Sequence, residues 1–459
     1  MLRLAKYLKP YLLAILVTIA LLFVQANADL SLPDYLSRIV NNGIQQGGVE
    51  NALPTAIRQS QMQRVTLFLS DADSQSVLAA YTLVDSSSPD YAAKLKEIPA
   101  LADGPVYTLN KLTTDQTAAL EKPMAQALLA VSTIEQAQAD PAKLAQIGQA
   151  AGFNAAALPA GTDLFGMLAQ LSPAMRASIG ASMQQKFAAL GDKAVSQAAV
   201  AVVKTEYAAL GMDMQALQTS YILRVGLLML LVSLLSVACT IAVGYLSATT
   251  GSGLARDLRR NVFQKVESFS NAEFDKFSTA SLITRTTNDI TQIQMVVIMM
   301  MRMVFYAPIM GVGGIIRAVN KDSSMWWLIA VAVGMLLSLV ITVFALALPK
   351  FKIMQSLIDR LNLVIRENLS GMLVIRAFNM QPFEEKRFDG ANKELTGTTL
   401  FVNRVMSGMF PSMMLIMNGL SLLIIWIGSH QVAQARMQVG DMMAFMQYAM
   451  QIVFSFLMM

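Results

Sequence analysis

Cysteine and histidine are almost absent from this sequence: one cysteine, Cys239, and one histidine, His430, occur in 459 residues. A single cysteine excludes an intrachain disulfide, and without a Cys/His cluster a zinc site has no ligand set. Charge is scarce too. Asp, Glu, Lys and Arg make up 14% of the chain, against about 25% in an ordinary soluble domain. The apolar fraction is 55% and the mean hydropathy is +0.49, the composition of a chain whose surface faces lipid. The net charge of +5 comes without a compact basic patch interleaved with aromatics, so nucleic acid is not indicated as a partner. No G-x-x-x-x-G-K-[ST] phosphate loop occurs, so the sequence contains no such nucleotide-hydrolysing site.

Long apolar runs are what the sequence does have. About 20 apolar residues are needed to cross a bilayer as helix. Runs of that length occupy residues 11–34, 221–246, 293–316, 325–348 and 405–428, and a sixth begins at Met442. The fold class expected is all-α, a polytopic membrane protein with six spans. None of these spans, as delimited here, carries an acid in its middle. The first run poses a question of its own. Arg3, Lys6 and Lys9 precede it and Ala26-Asn27-Ala28 closes it, the three parts of a secretory signal peptide. It is either a removable leader or the first span. Pro308 and Pro411 are expected to kink spans 3 and 5. His430 is expected in a short turn between spans 5 and 6.

The gaps differ in character. Residues 45–219 are polar, rich in Ala and Gln, and read as a mostly helical extramembrane insertion. Two other gaps, 249–292 and 349–404, are long and rich in basic residues, among them Arg256, Arg259, Arg260, Lys350, Arg360, Arg376 and Arg387. By the positive-inside rule these gaps and the N-terminus are cytoplasmic, and 45–219 is external. Apolar residues recur at three- and four-residue spacing in both gaps: Leu258, Val262, Val266 and Phe269 in one, Leu357, Leu361, Ile365 and Leu369 in the other. From pattern alone each is either a solvated loop or a helical hairpin standing off the membrane.

Particular stretches resemble a known family. "RRNVFQKVESFSNAEFDKFSTASLITRTTNDITQIQ" (residues 259–294) and "IRENLSGMLVIRAFNMQPFEEKRFDGANKEL" (365–395) are similar to the first and second intracellular loops of ATP-binding cassette exporters of the bacterial multidrug type. "LSLPDYLSRIVNNGI" resembles the outer end of their first span, and "VGDMMAFMQYAMQIVFS" the start of their sixth. The likeness covers residues 1–45 and 220–459. It implies segments 1–44 (N-terminal elbow and span 1), 45–219 (external insertion) and 220–459 (spans 2–6 with the two hairpins), and a retained first span. It also implies two coupling helices that dock on nucleotide-binding domains. The first would comprise Asn271, Ala272, Glu273, Phe274, Asp275, Lys276 and Phe277. The second would comprise Phe378, Asn379, Gln381, Pro382, Phe383, Glu384, Glu385, Arg387 and Phe388. On residue pattern alone, Phe378, Phe383 and Phe388 read rather as an amphipathic helix covering its own core. The implied partners are membrane lipid, a second transporter half (homo- or heterodimer) and nucleotide-binding domains. No cofactor is expected in this chain; ATP and Mg belong to a nucleotide-binding domain expected after residue 459. The implied location is a bacterial inner membrane. "NLSGM" (368–372) lacks the second Gly and the Gln of the family's LSGGQ signature and lies in the loop helix, so it is not read as one.

Methionine is abundant, with 32 residues. Met295, Met299 and Met303 share one helical stripe, Met406, Met409, Met413 and Met417 a second, and Met443, Met446 and Met450 a third. Met is flexible, polarizable and favoured on promiscuous binding surfaces, so the stripes are candidates for a cavity taking hydrophobic or amphipathic cargo; the alternative is plain packing or lipid contact. Arg302 is either a cavity residue or one that snorkels to an interface. The rival functions are an ion-gradient-driven secondary transporter, which needs intramembrane acids, and a membrane receptor or scaffold whose external insertion binds.

Overall fold

The computed structural model of the chain describes residues 7–139, 164–170, 180, 183, 185, 187, 191–274, 277–321 and 324–458. Six helices follow the expected spans: α1 Leu12–Arg38, α2 Met214–Glu267, α3 Ile290–Lys321, α4 Trp326–Ser370, α5 Gln381–Ala433 and α6 Val439–Met458. Among the described residues, five helical segments are long and apolar enough to cross a membrane: Lys9–Gln45, Met214–Glu267, Thr279–Lys321, Trp326–Ser370 and Gln381–Ala433. The sixth expected span is helical, but Asp441, Gln447 and Gln451 keep α6 outside that group. The spans are poorly covered by protein, with 17–28% of their most apolar windows buried. Apolar surface on that scale is stable only against lipid or another chain, and the protein is a multi-pass membrane protein of the all-α class.

The helices outrun the bilayer. At 1.5 Å per residue the 54 residues of α2 and the 53 of α5 extend about 80 Å, against about 30 Å of hydrocarbon. Prolines sit inside α1 (Pro33), α3 (Pro308), α4 (Pro349) and α5 (Pro411) without ending them. Helix α1 also runs unbroken through Ala26-Asn27-Ala28 and continues into a π-helical turn, Ile39–Gln45. Helix α5 reaches Ala433, so His430 lies in its last turn and not in a connecting loop as expected; the reversal falls at residues 434–438.

The chain divides into two compact units. One comprises Met1–Leu30, Leu234–Trp426 and Phe445–Met459. Its tightest packing joins α1, α3 and α6. Leu30, Phe445, Tyr448 and Ile452 are almost wholly buried, and the Tyr448 hydroxyl donates to the Leu30 carbonyl at 3.1 Å. Glycine permits this approach: a Cβ on Gly313 would lie 2.6 Å from Leu30, and one on Gly314 2.7 Å from Ile452.

The other unit comprises Ser31–Ser233 and Ile427–Ala444, so it takes in the stretches of α1, α2, α5 and α6 that adjoin the 45–219 segment. That segment is mostly helical, but it also holds a three-stranded antiparallel sheet in the order β1-β3-β2, with β1 Ala56–Arg58, β2 Tyr81–Val84 and β3 Val106–Leu109. Residues pair Ile57 with Tyr107 and Leu83 with Tyr107. Strands of three and four residues are too short to show a period-two pattern in sequence, which is why no strand was singled out in a segment read as mostly helical. The core gathers Ile57, Met62, Val65, Val77, Val106, Met124, Val203 and Leu210. Helix Asp192–Ala209 is locked onto β1 through Glu206, which is 7% exposed. It accepts from the Arg58 backbone N–H at 2.9 Å and from the guanidinium at 2.9 and 2.7 Å. Beside it the Tyr207 hydroxyl accepts from the Thr55 N–H at 2.6 Å.

Candidate functional site

Both charged gaps form helical hairpins. In the first, the α2 arm and the arm leading into α3 run antiparallel. Gly251 lies against Ile298, Ser252 bonds Gln294 at 3.0 Å, and Arg259 bonds Thr291 at 3.1 Å. Phe269 stacks on Phe277 at 5.7 Å, closing the pair at the tip. Leu254, Ala255, Leu258 and Ile290 form the buried seam, with Val262 beside it. The Tyr11 hydroxyl donates to Asp257 at 2.7 Å, which ties the start of α1 to this hairpin.

The tip itself is built by a capping box. "SNAE" places Ser270 three residues before Glu273, whose carboxylate accepts from both the backbone N–H and the hydroxyl of Ser270 at 3.0 Å. A short helix, Asn271–Phe274, follows. The Ser270 backbone N–H, then its hydroxyl, hold the Glu273 carboxyl below the usual glutamate range. Of the expected first coupling helix, the side chains of Asn271, Glu273, Phe274 and Phe277 are described. Asp275, Lys276 and the side chain of Ala272 lie outside the described residues.

The second hairpin pairs α4 with α5. Its register reads from base to tip as Lys350 over the Phe401 ring, Thr399 on Met354 at 3.5 Å, Arg360 to Glu394 at 2.7 Å and Arg387 to Glu367. A helix of six residues, Met372–Ala377, leads to the reversal. There Met380 N–H bonds the Ile375 carbonyl and Asn379 N–H the Arg376 carbonyl, with Asn379 at φ 54°. This is a Schellman cap, and Asn is among the few non-glycine residues that accept its left-handed position. Gln381 and Pro382 then open α5, where proline's fixed φ and missing N–H fit a first turn. Of the four apolar positions noted in sequence, Leu357 and Leu361 lie along the seam, while Ile365 and Leu369 are exposed. So are Leu373, Val374, Phe378, Met380, Phe383 and Phe388, with Phe378 at 75% and Leu373 at 84%. The tip therefore presents several exposed apolar side chains close together in sequence, with Met372 and Ile375 half-buried among them. Glu385 is exposed beside them, whereas the Glu384 side chain, 14% exposed, turns in toward Arg387.

The methionine stripes divide. Met295, Met299 and Met406 are exposed; Met303, Met409, Met443, Met446 and Met450 are half-buried; Met413 and Met417 are buried. Arg302 is exposed. A cavity of about 170 Å³ lies between α3 and α6, lined by Ala307, Pro308, Gly311, Val312, Ser455 and Phe456.

One polar cluster was not anticipated. Asp29 on α1 accepts from the Ser236 hydroxyl of α2 at 2.5 Å and from the Tyr306 hydroxyl of α3 at 2.7 Å. The reading that no span carries a central acid is therefore corrected. The run given as 11–34 already contains Asp29, and because the helical segment continues to Gln45, Asp29 lies near the middle of Lys9–Gln45. The signal available in sequence was an acid about one turn beyond Val24, followed by Asp34, on a stretch already read as continuous helix.

The family model described as the ABC transporter transmembrane region matches residues 187–456. An uncharacterized ABC transporter ATP-binding protein of Mycobacterium tuberculosis is 39% identical over 240 residues, 52% of this chain and 41% of the relative. One from Bacillus subtilis is 33% identical over 227 residues, 50% of this chain and 40% of the relative. A putative ABC transporter ATP-binding protein of Mycoplasma genitalium is 26% identical over 194 residues, 42% of this chain and 30% of the relative. The chain thus aligns with about two fifths or less of each of these relatives' own length.

Proposed function

Because the chain belongs to the ABC transporter transmembrane-region family, we propose that it forms the substrate pathway of an ATP-driven exporter and transmits the stroke of a nucleotide-binding domain to its spans. The observation that carries this reading is the second hairpin tip, where Phe378 and Phe383 are exposed at the end of two helices of 45 and 53 residues, about 70 and 80 Å long. Aromatic side chains held in water by a rigid support are what a docking partner buries. The pins between α4 and α5 make the hairpin a lever: closure of ATP-binding domains against the tip is passed along the helices as a rigid-body rotation.

The hairpins and the N-terminus face the cytoplasm of a bacterial cell on the strength of their basic residues, and the 45–219 segment faces outward. Two halves, identical or different, enclose the path. The half-buried and exposed methionines of α3 and α5 line it for hydrophobic or amphipathic compounds, lipids or peptides. Coupling helix 1 corresponds to 271–277 and coupling helix 2 to 378–388. ATP and Mg are held by the nucleotide-binding domain.

The test is ATP-driven transport by the full-length transporter in proteoliposomes. Uptake into inverted vesicles requires ATP, is abolished by vanadate, and is lost when residues 379–388 are scrambled. Asp29 is the one observation that favours an ion-gradient-driven reading; transport sustained by a proton or sodium gradient without ATP would establish that reading instead.

A further inference from the structure

We propose that Asp29, Ser236 and Tyr306 form a binding site for a large monovalent organic cation. The proposal rests on the reading that the chain lines a substrate pathway, and it names the charge of the substrate.

Three helices converge on one carboxylate. Ser236 donates to one oxygen of Asp29 and Tyr306 to the other, at 2.5 and 2.7 Å. Among the described residues no Lys, Arg or His pairs with it. Two neutral hydroxyls satisfy lone pairs and leave the charge uncancelled.

Depth makes that charge significant. Ser236 lies ten residues from one end of the apolar run 221–246, and Tyr306 ten residues from one end of the run 293–316. Each is therefore about 15 Å inside the nearer end of its run. A carboxylate without a positive partner is costly at that depth, and intramembrane acids serve ions or ligands by default. Ser236 is 8% exposed, whereas Asp29 and Tyr306 are half-buried.

The donor set selects the kind of cation. A small hard ion takes about six or more oxygen ligands. Here both hydroxyls direct their protons at Asp29, and no group of three His, Cys, Asp or Glu side chains able to hold a metal occurs among the described residues. A large, diffuse cation loses little hydration on entry and needs only one counter-charge and polarizable walls. The Tyr306 ring offers its negative face. Met303, half-buried and about one turn earlier on α3, offers a thioether.

The test uses two probes of matched shape and opposite charge, tetraphenylphosphonium and tetraphenylborate. Binding is measured by equilibrium dialysis to the full-length transporter in lipid nanodiscs without ATP. The wild type binds the phosphonium at least about tenfold more tightly than the borate. Asp29→Asn removes that preference, chiefly through about tenfold weaker phosphonium binding, and leaves the borate as it was or tighter. Asp29→Glu keeps the preference, and Tyr306→Phe weakens phosphonium binding by about threefold. Equal affinity of the wild type for both probes overturns the proposal whether or not any variant folds. So does unchanged phosphonium binding in Asp29→Asn. Loss of vanadate-sensitive transport with the phosphonium preference intact overturns the exporter reading and leaves this site standing.

Discussion

Two reversals in this chain close with the same backbone device and different residues. After the Met372–Ala377 helix, Asn379 takes φ 54°; after α5, Ala435 takes φ 53°, with Arg436 N–H on the Gln431 carbonyl and Ala435 N–H on the Val432 carbonyl. Asparagine tolerates the left-handed position, whereas alanine's Cβ meets the adjacent carbonyl oxygen, at a cost of about 1–2 kcal/mol. Ala435→Gly is therefore expected to raise stability by about 1 kcal/mol, partly offset by glycine's extra freedom in the unfolded chain. Thermal unfolding in detergent checks it, with Asn379→Gly as the near-neutral comparison. Glu273 is the residue through which pH reaches the first tip. Its carboxyl is held low, first by the Ser270 backbone N–H and then by the Ser270 hydroxyl. A depressed acid stabilises above its unfolded value, about 4.3, and that contribution disappears as pH falls through the folded value. Protection of the 271–274 amides from hydrogen exchange, corrected for intrinsic rates, should fall with acidification below that range. In Glu273→Gln the protection should be lower at neutral pH and insensitive to acid.

At the scale of elements, helical spacing of apolar residues over a dozen positions made helix readable in both gaps but left loop and hairpin open, and the resemblance to known intracellular loops was what pointed to hairpins. The devices that end them were also written locally. The Ser270–Glu273 capping box and the Asn379 cap are both visible in short strings, although neither was taken as the reason for a turn. What stayed hidden depends on contacts distant in sequence. The β1-β3-β2 sheet joins residues near 57, 83 and 107 in strands of three or four residues. Asp29 acquires its setting only from Ser236 and Tyr306, more than two hundred residues away. The same long reach governs the stability of the 45–219 segment, where Arg58 and Glu206 are 148 residues apart. Burial would disfavour this ion pair, but three hydrogen bonds offset it, and Glu206 raises the Arg58 pKa above the ordinary arginine value. Glu206→Ala leaves Arg58 39% exposed and able to take up water. The loss is then about 2 kcal/mol, below the roughly 3–5 kcal/mol of a fully buried broken pair. A lower urea midpoint for the 45–219 segment, read by limited proteolysis, tests this.

At the scale of the whole molecule, the question is whether the tips move with the spans. The second tip is an extension of α4 and α5, and its arms are held by contacts at Lys350–Phe401, Met354–Thr399, Arg360–Glu394 and Glu367–Arg387. A force on the tip is therefore carried into the membrane-spanning parts of both helices without an intervening loop. Replacing Phe378 and Phe383 together by Asp removes the exposed aromatic pair on which the proposed docking rests and touches none of those pins. Burying two phenylalanines is worth about 3–6 kcal/mol, so docking of the ATP-binding domain at this tip should weaken by at least about a hundredfold. The expected result is separation of two activities. Basal ATP hydrolysis by the full-length transporter persists, because its chemistry lies in the ATP-binding domain. Stimulation by substrate disappears, and transport falls with it. Swapping the charges of Arg360 and Glu394 is the control: it preserves the pin in reverse, is worth less than about 1 kcal/mol as an exposed pair, and should leave stimulation intact. If the Phe378/Phe383 variant were stimulated as strongly as the wild type, the hairpin would be a support for the bundle and the force would enter elsewhere.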